Sequence, residues 1–173
     1  DYAMIWSRSQ KFTVGTANFA TLSDTDHLLT AAVGLAADVQ TSHHNLRKIW
    51  DLYMMLRLLD AGTDWDAFMA ERQAEGSLKL VLNMFMFCLL LLGAEEDCSR
   101  LNQTIAAHRR LLLITSERPA AAIFGRGRQH LANRVLFSRL LPVSPLWYWS
   151  RWLLTLPVRL RHYRRARARK PRR

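Results

Sequence analysis

Apolar positions recur at helical spacing through most of this chain and alternate only near its start. Between Lys11 and Leu22, Phe12, Val14 and Thr16 alternate with polar neighbours around Gly15, the period of a short strand or hairpin arm. Ser23 followed by Asp26 is a capping-box-like opening. It predicts a helix to about Val39 with His27 and Thr30 exposed on one side. Thr41 or Ser42 can cap the next helix, which carries Leu46, Ile49, Trp50, Tyr53, Leu56 and Leu59 on one face and ends at Gly62 as a left-handed cap. Thr63-Asp64-Trp65-Asp66 repeats the capping pattern and places acids in a first turn, where the helix dipole favours them. That short helix stops near Gly76.

Leu78 to Ala94 is apolar apart from Lys79 and Asn83, and Gly93 and three acids close it. It is shorter than the roughly 20 residues that a membrane-spanning helix needs, so it reads as a buried core helix. A further helix is predicted from Cys98 to about Glu117, with Leu101, Ile105, His108 and Leu112 on one face. Pro119, Gly125 and Gly127 then break the chain. Arg128 to Leu141 can form a helix, and the segment from Leu146 another, kinked at Pro157. The pattern describes a mainly α chain, a helical bundle-like body with a short N-terminal β element.

Charge changes this picture more than composition does. All 14 acidic residues of the 173 lie at or before Glu117. Residues 1–117 hold 10 basic residues against those acids, and residues 118–173 hold 15 basic residues and no acid, which gives the net +11. The division is a mildly acidic body, 1–117, and a basic amphipathic extension, 118–173. In the extension Trp147, Trp149 and Trp152 with neighbouring leucines precede Arg159, Arg161, Arg164 and Arg165. Aromatic and aliphatic residues beside a dense cationic face suit a helix in an anionic membrane interface. Phosphate neutralisation on nucleic acid is the weaker alternative, and a solvated tail or one that covers the protein's own apolar patch is a third.

Candidate chemistry in the body is sparse. Cys88 and Cys98 are too few for a disulfide framework and read as buried thiols, which fits a reducing, cytoplasmic setting with the tail at the membrane periphery. Arg47 and Asp51 are spaced i,i+4 as a helix-surface ion pair. Asp24-Thr25-Asp26 and Asp64-Trp65-Asp66 have metal-site letters, but each sits at a helix start, where capping explains it. His43-His44 reads as first-turn polarity, Trp65 as a packed aromatic, and His108 as polar helix surface. Neither a nucleophile triad nor a phosphate loop can be assembled. The chain opens at Asp1 within what reads as structured sequence, so it is expected to be part of a longer protein.

Certain residues follow a more specific order. Ile5-Trp6 precedes Val14, Asn18 and Ala20, then Leu22-Ser23-Asp24-Thr25-Asp26-His27-Leu28-Leu29, then Arg47 with Asp51, then Asp64-Trp65-Asp66. Over roughly residues 1–95 this resembles the C-terminal part of the uncharacterised bacterial nucleotidyltransferase family. There a tryptophan-containing strand precedes Leu-Ser-Pro-x-Asp-x-Leu-Leu, Arg-Trp-x-x-Asp and Asp-Trp-Asp. The resemblance implies transfer of a nucleoside monophosphate from a nucleoside triphosphate to an acceptor it does not identify, with Mg²⁺ held by carboxylates on strands upstream of this part. It makes Arg47 and Asp51 candidates for substrate binding or for anchoring a catalytic domain. It assigns no catalytic residue and no metal ligand within this chain. Two positions depart from the pattern: Val33-Gly34 stands where the family carries His-Gly, and Lys48 follows Arg47 where the family carries Trp.

Overall fold

A computed structural model describes residues 7–41, 46–117, 135, 136 and 138–140. Strands β1 (Gln10–Val14) and β2 (Ala17–Thr21) form an antiparallel hairpin, with Phe12 opposite Phe19 and Gly15 in the left-handed conformation at its turn. Helices α1 (Asp24–Thr41), α2 (Leu46–Leu59), α3 (Trp65–Ala74) and α4 (Leu78–Leu92) follow. After a 3-10 turn at Glu95–Cys98 comes α5 (Ser99–Ala107), and a second 3-10 turn spans Arg109–Leu111. The fold is mainly helical with a two-stranded sheet at its start, as the sequence predicts.

Helix α4 is the centre. Leu80 to Phe85 and Phe87 to Leu90 are buried, and α1, α2 and α3 pack against it. Each large apolar side chain so buried contributes on the order of 1.5–3 kcal/mol. Gly93 caps α4 in the left-handed conformation, which Gly adopts without a Cβ penalty. Among the described residues no helix is long and apolar enough to cross a membrane. From α1, Leu28, Ala32, Leu35, Ala36 and Val39 enter the core at i, i+4, i+7, i+8 and i+11. Leu140 also joins this core.

Several local expectations are corrected. In α2 the packing face is Ile49, Leu52, Tyr53 and Leu56, whereas Leu46 and Trp50 are exposed and Leu59 is only half-buried. The apolar set on α2 is wider than its contact with α1 and α4, so part of it remains outside. Thr41 is the last residue of α1, and the candidate cap Ser42, with His43 and His44, lies outside the described residues. Gly62 is not left-handed; the Gly62 and Thr63 amides turn back onto the Leu59 carbonyl. The cap of α3 is Asp64, whose Oδ1 accepts the Ala67 N–H at 3.0 Å, so Thr63 lies outside the helix.

The helix predicted to reach Glu117 stops at Ala107 because another residue claims the backbone beyond it. Asn83, fully buried on α4, donates to the Lys79 carbonyl one turn earlier on the same helix (2.7 Å) and to Leu111 O (3.0 Å). Its Oδ1 accepts the N–H groups of Leu113 (2.6 Å) and Ile114 (3.1 Å). Leu112 is extended as a result of this irregular path. Of the predicted 128–141 helix, residues 135, 136 and 138–140 are helical, and the rest lies outside the described residues.

Candidate functional site

The start of α1 is tied down by charge as well as by its cap. Ser23 Oγ accepts the Asp26 N–H at 3.2 Å and donates to Asp26 Oδ2 at 2.7 Å. Asp26 is buried, and its other oxygen takes Arg8 Nη2 at 2.8 Å. Arg8 also reaches Glu71 of α3 at 3.2 Å. Glu71 in turn receives Arg72 Nη2 at 2.8 Å, and the same nitrogen lies 3.1 Å from Glu75. Arg72 is fully buried with its guanidinium 5.1 Å above the Phe68 ring. Asp26, Arg8, Glu71, Arg72 and Glu75 thus alternate in sign along a chain that joins the residue 8 turn, α1 and α3. Sequence reasoning missed Arg8 and Arg72. The spacing of Phe68, Arg72 and Glu75 carried the only available signal for the second.

A cleft of about 320 Å³ opens beside this chain, with Ser23, Asp24, Thr25, Asp64 and Glu71 among its lining residues. Two of its acids have structural employment: Asp64 caps α3 and Glu71 holds two arginines. Among the described residues no group of three His, Cys, Asp or Glu side chains is arranged to hold a metal ion. The Asp26 and Asp64 carboxylates each accept a hydrogen bond at the start of a helix.

A second cleft, about 370 Å³, lies between α1 and α2. His27, Thr30, Ala31 and Gly34 line it from α1, and Lys48, Asp51 and Met55 from α2. Residues spaced three or four apart on each helix share a face, which is why four positions of α1 meet three of α2 here. His27 is half-buried, contrary to expectation, because its Nε2 pairs with Thr21 Oγ1 of β2 at 3.0 Å. Thr30 Oγ1 donates to the Asp26 carbonyl at 2.8 Å. Lys48 Nζ lies 2.9 Å from Asp38.

The structure separates the two candidates on α2. Arg47 Nε stands 3.7 Å from Asp51 Oδ2 on an exposed surface, an ion pair of the i,i+4 kind. Asp51 lines the cleft and Arg47 does not. The tail candidates Trp147, Trp149, Trp152, Arg159, Arg161, Arg164 and Arg165 lie outside the described residues. Trp65 is the packed aromatic expected: it is buried edge-on to Phe68 and Phe85, and its indole N–H donates to Asp60.

The two cysteines are free and buried. Desolvation pushes the Cys88 thiol up to about 12, and its Sγ donates to Ile49 O at 3.1 Å. Burial, with the Asp60 and Asp97 carboxylates adding to it, raises Cys98 to about 11. Neither thiol is a nucleophile at neutral pH. Tyr53 donates to Asp97, and this bond raises the phenol above its ordinary value of 10.0, with desolvation adding to it.

A family model described as uncharacterised nucleotidyltransferase matches residues 1–93. The chain belongs to this nucleotidyltransferase family. The match runs from the hairpin to the Gly93 cap of α4 and contains both clefts. No curated protein and no solved structure matches the chain. Against the family pattern, Gly34 of the Val33-Gly34 pair is the member that faces the α1–α2 cleft, across from Asp51. Lys48, which follows Arg47, lines the same cleft.

Proposed function

We propose that this chain forms the helical part of a nucleotidyltransferase that, in the full-length protein, transfers a nucleoside monophosphate from a nucleoside triphosphate to an acceptor. The observation that carries this reading is the family match over residues 1–93, within which Gly34 and Asp51 face each other across one cleft. In this reading the chain's own residues bind and orient. The Arg8–Asp26 and Arg8–Glu71 pairs hold α1 and α3 in register, and the α1–α2 cleft takes a substrate group. The Mg²⁺ implied by the family finds no ligand set among the described residues, because Asp26 and Asp64 are committed as described. The test is label transfer from an α-³²P nucleoside triphosphate by the full-length protein.

A second reading rests on the charge division. In it residues 118–173, with 15 basic residues and no acid, hold the protein at an anionic membrane surface through the tryptophan- and arginine-rich segment. In this reading the helical body is a non-catalytic module, and no label passes from a nucleoside triphosphate. Nucleic acid is the competing anionic partner for the same segment.

A further inference from the structure

We infer that the α1–α2 cleft is a binding site for an amino-bearing nucleobase and not for the phosphates of the nucleotide. The inference rests on the nucleotidyltransferase reading for its choice of ligand family, and on the cleft for everything else.

Gly34 supplies the first argument. It sits inside α1, where Gly is a weaker helix former than Ala. Its backbone is not left-handed, and a Cβ built on it would meet no atom within 4 Å. Neither backbone conformation nor internal packing therefore calls for a glycine. What its bare Cα does is leave open the wall of the cleft. Glycine in such a place permits close approach of a ligand to the backbone.

Charge decides what kind of ligand. Among the described residues the charged side chains facing the cleft are Lys48 and Asp51, which sum to zero. Lys48 is already held 2.9 Å from Asp38 on the same helix as Gly34. A triphosphate would meet one engaged ammonium and an opposing carboxylate, which is poor electrostatics for a polyanion. Ala31 and Met55 give apolar contact, and a thioether packs favourably on an aromatic ring. A volume of about 370 Å³ is ample for a planar base.

The rim then selects among bases. Arg47 Nε is 3.7 Å from Asp51 Oδ2, beyond hydrogen-bond reach, so the Asp51 carboxylate keeps acceptor capacity. Thr30 Oγ1 spends its proton on the Asp26 carbonyl, and its lone pairs also accept. Two acceptors at the rim favour a base that presents an exocyclic amine, as adenine and cytosine do. Uracil offers these acceptors only its N3–H, flanked by two carbonyls that the carboxylate would repel.

The experiment is titration of the full chain with adenosine, cytidine and uridine, followed by ligand-observed NMR and calorimetry, for wild type, Gly34→Leu and Asp51→Asn. The expected result is binding of adenosine and cytidine with uridine at least tenfold weaker. Gly34→Leu should lose at least tenfold in affinity with an unchanged or raised Tm, because its side chain enters open space. Asp51→Asn, whose amide can donate as well as accept, should bring cytidine and uridine within about threefold of each other. Undiminished binding by Gly34→Leu, equal binding of uridine and cytidine by wild type, or no nucleoside binding each overturns the inference. Label transfer from a nucleoside triphosphate without nucleoside binding at this cleft would leave the transferase reading standing. Nucleoside binding without any label transfer would do the reverse.

Discussion

Asp60 Oδ1 accepts the backbone N–H of Leu101 at 2.7 Å, across 41 positions of sequence. Its Oδ2 takes the Arg100 N–H at 3.2 Å, and the Trp65 indole donates to Oδ1 at 3.1 Å. A buried carboxylate at the end of α2 thereby satisfies free N–H groups at the start of α5 and fixes the entry to α3. Asp60→Ala should cost about 2 kcal/mol, since it strands the Leu101 and Arg100 N–H groups while the Trp65 indole keeps the Asp60 carbonyl at 3.2 Å. Urea unfolding followed by tryptophan fluorescence checks this, and a loss below about 0.5 kcal/mol would mean that water replaces the carboxylate without penalty.

Asn83 is the other polar residue that organises the core. Substitution by Leu, close in volume, should cost about 3 kcal/mol, because Leu111 O, Leu113 N and Ile114 N lose their partner together. Asn83→Asp should also destabilise, since it removes the two donated bonds while keeping the acceptor. Thermal unfolding of both variants is the measurement, with segment 111–114 losing amide protection first in hydrogen exchange.

The buried thiols set a limit at high pH. An unfolded thiol ionises near its ordinary value of 9.0, whereas folded Cys88 holds its proton to about 12. In that window the unfolded state binds fewer protons, so stability is intact below pH 9 and falls as pH rises toward 12, by about 1.4 kcal/mol per pH unit for one such thiol. Cys88→Ala should flatten the slope above pH 9. At about pH 8 a thiol reagent such as DTNB should label neither Cys88 nor Cys98 until denaturant is added.

The extension gives a prediction of a different sort. Deletion of residues 145–173 should abolish sedimentation with phosphatidylserine-containing vesicles while thermal unfolding of the body is unchanged. Binding by the intact chain should weaken with salt as screening grows. Equal vesicle binding by the truncated protein would remove the tail from the account.

Much of the fold was legible because period and punctuation agreed. The Phe12/Val14 alternation, the Ser23–Asp26 opening and the apolar run ended by Gly93 correspond to β1, the start of α1 and α4. What escaped were features set by partners distant in sequence. Nothing local says that Asn83 will hold residues 111–114 out of a helix, although an asparagine inside an apolar run is a visible oddity. The α2 face was misjudged because Leu46 and Trp50 share the period of the buried residues, and only tertiary packing decides which apolar edge stays outside. Of the two candidates on α2, Asp51 lines the cleft and Arg47 does not, and no local pattern in the sequence places Gly34 opposite Asp51. Arg8 joins Asp26 to Glu71 through charges 18 and 63 positions away, which no window reading can find.

If the α1–α2 cleft serves nucleotidyl transfer, filling it must stop the reaction. The direct measurement incubates the full-length protein with each α-³²P nucleoside triphosphate, Mg²⁺ and a fractionated cell extract as acceptor source, and compares wild type with Gly34→Leu. The account predicts a labelled product with release of pyrophosphate, lost at least tenfold when leucine fills the cleft of the still-folded protein. Label transfer that is indifferent to Gly34→Leu, or none with any of the four nucleotides, would contradict it.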